Sequence, residues 1–126
     1  MILLAVLAQM AMPSLVLDLG ELPPQTLIPG RCVTVLWTRT EPPRRVAMAD
    51  EAAQTLRIVQ AGKSVDLPST GKARYAGFGL AITLDLDIVE REGLTSGAII
   101  NQGAMRVDTV GKDSVVVPVG GIRACS

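Results

Sequence analysis

Two carboxylates, Asp85 and Asp87, lie two residues apart in a run of alternating apolar and polar residues. Because successive side chains of a β-strand point to opposite faces, this spacing puts both carboxylates on one face. Such a pair could supply oxygen ligands for Ca²⁺, or general acid and base groups for a small hydrolase. The neighbouring sequence offers no further ligand or catalytic partner. We therefore favour a solvated outer face and keep a hydrolase based on Asp85 and Asp87 as an alternative.

A second spacing with chemical meaning is S-x-x-K, which Ser69 and Lys72 provide. In penicillin-recognising enzymes this spacing places a nucleophile and a base together. That chemistry needs the first turns of a buried helix, where the pKa of the lysine can fall. Here the motif follows Pro68 and contains Gly71, and both residue types favour turns. We interpret it as turn sequence without a catalytic role.

Histidine is absent from the whole chain. Its absence removes the commonest general base, the commonest zinc ligand and every Ser-His or Cys-His pair. Two cysteines without a C-x-x-C pair also make a poor zinc site. The sequence therefore predicts no catalytic residues, no metal and no cofactor.

One group of residues is suited to binding by contact. Trp37, Arg39, Arg44 and Arg45 surround the dipeptide Pro42-Pro43. Tryptophan and arginine are over-represented at binding hot spots, and a proline-stiffened loop loses little entropy on binding. We hypothesise that these four residues form a partner-binding surface. The alternative is a solvated loop beside a core tryptophan.

Composition narrows the class of partner. Twelve Lys and Arg residues balance twelve Asp and Glu residues, and the isoelectric point is about 6.2. Nucleic-acid binding normally requires a basic excess and often several stacking aromatics, whereas only Trp37, Tyr75 and Phe78 are aromatic here. We expect no nucleic-acid partner, and we expect another envelope or secreted protein instead. The oligomeric state is not specified.

The segment Met1–Met12 is apolar and carries no charged side chain. It is too short to cross a bilayer as a helix and fits the apolar region of a secretory signal peptide. We therefore expect no stable transmembrane span and a periplasmic or secreted protein. The alternative is a cytoplasmic β domain in which this segment is buried.

Cys32 and Cys125 are the only cysteines. An even number of cysteines in an exported chain indicates a disulfide, whereas the alternative is two free buried thiols. The bond would close a loop long enough to stabilise the fold by roughly 4 to 5 kcal/mol in the chain-entropy description.

The remainder of the chain has the period of β-strands. Short strands are predicted at Ser14–Gly20, Arg31–Thr40, Arg45–Ala49 and Leu80–Ile88, with a connector at Glu21–Gly30 and a loop at Pro68–Gly79. On Arg31–Thr40, the alternation puts Val33, Val35 and Trp37 on one face and Thr34, Leu36 and Thr38 on the other. On Leu80–Ile88, it points Leu80, Ile82, Leu84, Leu86 and Ile88 inward.

Two hairpins have predictable registers. A turn at Ala61-Gly62 sets Ile58 opposite Val65 and Arg57 opposite Asp66, so that apolar residues share one face and an ion pair lies on the other. Because Ala disfavours positive φ, this loop is expected to open to Gln60–Lys63. In the second hairpin, a loop at Gly111–Asp113 sets Val107 opposite Val117.

Seven to eight short strands separated by turn signals predict an all-β fold, with one domain over residues 13–126. We favour a small antiparallel β-sandwich, and a partly open β-barrel is the alternative. The functional expectation is an extracytoplasmic, non-catalytic binding or structural module, such as an accessory, adaptor or inhibitor-like domain.

Overall fold

The structure is a computed structural model, which describes residues 19–90 and 98–125. Within these ranges all regular structure is β-strand. The strands are β1 (Leu19–Gly20), β2 (Cys32–Thr38), β3 (Arg45–Asp50), β4 (Thr55–Gln60), β5 (Lys63–Gly71), β6 (Arg74–Gly77), β7 (Leu80–Glu90), β8 (Ala98–Thr109) and β9 (Val115–Cys125). The all-β prediction is confirmed. The described residues contain no helix with the length and apolarity needed to span a membrane.

Strands β2 to β9 form a closed antiparallel barrel in which each strand pairs with the next one in the chain, and β9 pairs with β2 to close it. The short strand β1 pairs with β4 outside this closed set. The favoured sandwich is therefore wrong, and the chain adopts the alternative, a barrel, which is closed rather than partly open. Period-two alternation predicts one buried face per strand in both, whereas closure depends on strand tilt and stagger.

The barrel interior is filled by aliphatic side chains, as the scarcity of aromatic residues requires. Its largest fully buried members are Leu36, Leu56, Ile58, Leu67, Ile82, Met105 and Val119. A barrel of this strand number is just wide enough for side chains to fill it. The interior is therefore a packed core.

A second apolar cluster lies on the outer wall. Val33, Met48 and Val59 pack there beneath Leu22, which comes from the connector and is fully buried. The predicted faces of β2 are confirmed, because Leu36 belongs to the interior core and Val33 to this outer cluster. The valine face is thus covered by the connector, which the sequence had indicated only as an irregular segment.

The first hairpin has the predicted register, with Ile58 opposite Val65 and Arg57 opposite Asp66. The Arg57 guanidinium donates to both carboxylate oxygens of Asp66, at 2.8 and 3.1 Å. The expected opening of the loop is wrong. Gln60 pairs with Lys63, and Ala61 adopts a φ of 53° in a two-residue turn that matches the strand twist.

The second hairpin differs from its prediction by two residues. Val107 lies opposite Val115, not Val117, and Val117 lies opposite Met105. Thr109 pairs with Leu80 of β7, and the backbone N–H of Lys112 donates to the Thr109 carbonyl at 3.0 Å. The connection is therefore longer than three residues. A register shift of two residues leaves every side chain on the same face of the sheet, so the hydrophobic pattern cannot distinguish the two registers.

The loop predicted at Pro68–Gly79 is wrong as well. The end of β5 and all of β6 lie within it, and Ser69 pairs with Tyr75. Small and turn-forming residues in this segment concealed two short strands joined by a tight turn, in which Ala73 has a φ of 58°. The leader Met1–Met12 lies outside the described residues, and the predicted strand Ser14–Gly20 is described only over Leu19–Gly20.

Cys32 and Cys125 face each other across the β2–β9 pair that closes the barrel. Their sulfur atoms are 2.09 Å apart, so the predicted disulfide is present. The bond joins the first and last strands of the closed barrel.

Candidate partner-binding cleft

The loop between β2 and β3 is held in one shape at its base. The backbone N–H of Thr38 donates to the Arg44 carbonyl at 2.8 Å, and the backbone N–H of Arg44 donates to Thr38 Oγ1 at 3.0 Å. Further along, Thr40 Oγ1 donates to the Pro42 carbonyl at 3.0 Å. These hydrogen bonds, together with two consecutive prolines, preorganise the loop and lower the entropy cost of binding to it.

Strand β8 has a bulge beside this loop. Ile100 pairs with Gly121 and Gly103 pairs with Val119, so Gly120 alone stands opposite two residues of β8. A bulge redirects the local backbone. Here the Asn101 carbonyl accepts a hydrogen bond from the Arg39 guanidinium, which joins the β2–β3 loop to β8 across β9.

The floor between loop and bulge is formed by Trp37 and Gly120, which are opposite each other on β2 and β9. A Cβ atom at Gly120 would lie 3.3 Å from the Ile100 carbonyl oxygen, 3.7 Å from Arg39 Nη1 and 3.9 Å from Trp37 Nε1. The glycine therefore allows the backbone of β8, an indole and a guanidinium to approach one another closely. Among the described residues, the indole N–H has no hydrogen-bond acceptor, so this donor is available to a ligand.

Loop, bulge and floor enclose an open cleft of about 500 Å³ on the outer wall of the barrel. Its walls are Arg39, Thr40, Glu41 and Pro43 on one side and Ile99, Ile100 and Asn101 on the other, with Trp37, Gly120 and Gly121 between them. A volume of this size is typical of ligand sites, which combine apolar walls with a few polar groups.

The structure distributes the four predicted binding residues unequally. Trp37 and Arg39 line the cleft, and Arg44 is exposed on the same loop. Arg45 instead holds the connector, because its guanidinium donates to the Leu22 carbonyl at 2.9 Å and its own carbonyl accepts from the Leu22 N–H at 2.7 Å. Arg45 therefore has an internal structural contact that the sequence did not indicate.

Sequence reasoning missed one whole side of the cleft. Ile99, Asn101 and Gly120 are far from Trp37 in the sequence, and barrel closure brings them together. In the sequence, the dipeptide Gly120-Gly121 is typical only of a bend. A glycine within a strand, such as Gly103 in β8, is compatible with a bulge, but the residue pattern does not show which side chains a bulge would bring into a cleft.

A smaller cavity of about 210 Å³ lies between the connector and the outer wall. Arg31 Nη1 lies 2.9 Å from Asp50 Oδ2 beside it. Burial raises the pKa of Asp50, but the Ala53 N–H and the Arg31 guanidinium lower that pKa by more. The hydrogen bond from Arg57 to Asp66 raises the pKa of Arg57 in turn. Because these charged side chains are paired with each other, they are not available to bind a charged ligand in this cavity.

The residues considered for catalysis are not assembled into a site. Asp85 and Asp87 are exposed on β7, opposite Ala104 and Gln102. The Ser69 hydroxyl donates to the Gly71 carbonyl at 3.0 Å, so it is engaged with its own strand. Over residues 19–90 and 98–125, no three His, Cys, Asp or Glu side chains form a group that could hold a metal ion.

Comparison with protein-family models, with curated proteins and with solved structures finds no match to this chain.

Proposed function

We propose that this chain is an extracytoplasmic, non-catalytic binding module that holds a polypeptide segment of an envelope or secreted protein in the cleft beside Trp37. The observation that carries the proposal is the indole N–H of Trp37, which has no acceptor among the described residues and lies, with the Arg39 guanidinium, close to the bare backbone of Gly120. An apolar surface with an unpaired donor and a cation on a preorganised loop is typical of a binding hot spot.

The cleft chemistry favours a polypeptide occupant. The indole N–H can donate to a backbone carbonyl, and Arg39 and exposed Arg44 can bind a carboxylate side chain. The apolar wall extends outward from Ile99, which pairs with Ile122, a residue 38% exposed. A peptide with an apolar residue, an acidic residue and an accessible carbonyl would satisfy all three features.

The disulfide supports the extracytoplasmic part of the proposal. Disulfides persist in oxidising compartments and are rare in the reducing cytoplasm. The bond between Cys32 and Cys125 joins the two strands that close the barrel, and the apolar leader Met1–Met12 suits an exported chain. A location in the reducing cytoplasm would not account for the disulfide.

The hydrolase alternative finds less support. A catalytic pair of carboxylates needs a concave site in which polar groups converge. Asp85 and Asp87 lie on an open strand, and neither lines either of the two cavities described above. The residues present therefore favour binding through the cleft over hydrolysis.

Site-specific photocrosslinking tests the proposal in cells of the native host. A photoreactive phenylalanine analogue replaces exposed Glu41 in the cleft wall or, as the control, exposed Thr70 on β5. We expect a discrete adduct with one envelope or secreted protein from position 41 and none from position 70. Arg44→Glu should abolish the adduct, whereas Arg74→Glu, at a second exposed arginine, should leave it unchanged.

Trp37 provides a second readout, since it is the only tryptophan. Addition of a peptide from the crosslinked partner should shift the fluorescence of Trp37, and the shift should saturate as the peptide concentration rises. The same adducts from positions 41 and 70 would contradict the proposal. So would turnover in a hydrolase screen that Asp85→Asn or Asp87→Asn abolishes without lowering the melting temperature.

A further inference from the structure

Strand β7 is much longer than the neighbour on one of its edges. Strand β6 pairs with β7 only from Leu80 to Thr83, and the Leu84 N–H then donates to the Ala73 carbonyl at 2.9 Å. From Asp85 to Glu90, β7 pairs with β8 alone. Among the described residues, none pairs with the other edge of this segment, so its backbone donors and acceptors face outward unused.

The side chains of this edge form two distinct faces. Ile88 was predicted to point inward, and it shares the face of Leu84 and Leu86, but it is 51% exposed. It lies on the part of β7 that extends beyond the pairing with β6. The opposite face carries Asp85, Asp87 and Val89, of which Val89 is 38% exposed. The free edge is thus apolar on one face and mainly acidic on the other.

We propose that the β7 edge from Asp85 to Glu90 binds an extended segment of a partner polypeptide as an additional antiparallel or parallel strand. Unpaired strand edges are templates for pairing with another chain. Proteins that bind peptides by strand addition gain affinity from main-chain hydrogen bonds and specificity from alternate side chains. This edge is separate from the Trp37 cleft.

The chemistry of the two faces defines the segment that fits. On β8, the residues directly opposite Asp85 and Asp87 are Ala104 and Gln102, so neither carboxylate has a cation opposite it. The nearest arginine on that face, Arg106, is opposite Thr83 and is paired with Asp108 on its own strand. Lys or Arg at alternate positions of the added strand would neutralise both carboxylates, and opposite charges in cross-strand pairs are stabilising. The intervening residues should be apolar, to cover Leu86 and Ile88. The partner segment therefore alternates basic and apolar residues.

A second copy of the chain fits this edge poorly. In a two-fold antiparallel pairing centred on Asp87, that carboxylate meets its own copy. Centred one residue earlier, Asp85 meets Asp87, and like charges directly opposite are destabilising. Centred one residue later, Asp87 meets the apolar side chain of Val89. Charge complementarity therefore favours a basic partner over self-association.

Hydrogen exchange of the full, oxidised chain tests the proposal with an alternating Lys/Val decapeptide as the probe. We expect the probe to slow exchange of outward-facing amides between Asp85 and Val89 at least about tenfold, and to leave the amides around Trp37 unchanged. Two control peptides are an alternating Glu/Val decapeptide and the Lys/Val peptide N-methylated at alternate residues, which cannot form the strand ladder. Neither control should protect these amides.

A charge-reversal variant makes the test specific. Asp85→Lys combined with Asp87→Lys should weaken Lys/Val binding about tenfold or more and should create binding of the Glu/Val peptide. Both positions are exposed, so the melting temperature should not change, and unchanged melting is the folding control.

Four results would overturn the proposal. One is equal protection by the N-methylated peptide, and another is equal protection by the Glu/Val peptide with the wild-type chain. The third is protection of this edge before any peptide is added, which would show that another segment of the chain covers it. The fourth is a dimer in sedimentation that protects the same amides.

Discussion

At the scale of single residues, the most informative position is Ala61, whose φ of 53° lies in the left-handed region. Non-glycine residues pay roughly 1 to 2 kcal/mol there, and Asn and Gly tolerate it best. The neighbouring Gly62, with a φ of 80°, carries the second left-handed position of the turn. The register of the hairpin, set by apolar pairs and an ion pair, forces Ala61 into a conformation that its own preference opposes.

Ala61→Asn should therefore stabilise the protein by about 0.5 to 1 kcal/mol, because the Asn-Gly pair prefers this turn type. Urea unfolding of both proteins measures the change in the free energy of unfolding. Ala52→Asn, at an exposed alanine without a positive φ, is the matched control and should have little effect. Equal results from the two variants would contradict the two-residue turn.

A second residue-scale feature lies beside the barrel closure. Glu51 accepts two hydrogen bonds from the Arg123 guanidinium, at 2.6 and 3.0 Å. These bonds lower the pKa of Glu51 below its usual value, against a smaller opposing effect of burial. A lowered folded-state pKa means that the ion pair stabilises fully above the unfolded pKa of about 4.3 and loses its effect as pH falls through the lower folded value.

Glu51→Gln should destabilise the chain at neutral pH by less than about 1 kcal/mol, because the pair is partly solvated. The difference from wild type should shrink as pH falls below about 4. Unfolding by urea at a series of pH values measures this dependence. A constant difference between Glu51→Gln and wild type at all pH values would contradict the assignment.

At the scale of elements, the two hairpins show what alternation can determine. Opposing apolar residues and the Arg57–Asp66 pair specified the first register fully. In the second hairpin, every inward position between Ala104 and Val119 is aliphatic or small, so registers two residues apart bury the same faces. The structure has Val107 opposite Val115, and alternation alone does not distinguish this register from the predicted one.

Facing, unlike register, can be tested within one strand. Val117 is 9% exposed and its neighbour Val116 is 60% exposed. Val117→Asp should destabilise by about 3 kcal/mol or more, because it buries an unpaired charge, whereas Val116→Asp should cost about 0.5 kcal/mol. Thermal and urea unfolding measure both, and similar losses would show that the facing of β9 is wrong.

Only part of the candidate cleft could be predicted from the sequence. The composition of the Trp37–Arg45 loop indicated a binding surface, and Trp37 and Arg39 do line the cleft. The contact of Arg45 with Leu22 and the contribution of Asn101 were not predictable, because both depend on chain segments brought together by the fold. A local sequence pattern can indicate residues suited to binding, but it cannot show which of them make contacts within the folded chain instead.

At the scale of the whole molecule, every barrel pairing except one joins strands that are consecutive in the chain. The exception is β2 with β9, which closes the barrel and contains the disulfide. Pairings between consecutive strands form over short loops, whereas closure has to bring distant segments together. The disulfide therefore stabilises the strand pairing whose formation has the largest entropic cost.

Removing the bond with Cys32→Ser and Cys125→Ser should destabilise the barrel by about 4 to 5 kcal/mol in the chain-entropy description, since it closes a long loop. The urea midpoint of the double variant, compared with the oxidised wild type, measures the loss. Wild-type protein under reducing conditions should match the variant. An unchanged midpoint in both would contradict a stabilising role for the bond.

The closure also determines how the molecule carries mechanical load. Tension applied between the segment before Cys32 and the segment after Cys125 passes directly through the sulfur–sulfur bond and bypasses the barrel. The 93 residues of sequence separation correspond to roughly 300 Å of extended chain that such a pull cannot release. An oxidised chain held at both sides would keep its barrel, and the cleft on its wall, under forces that extend the reduced chain.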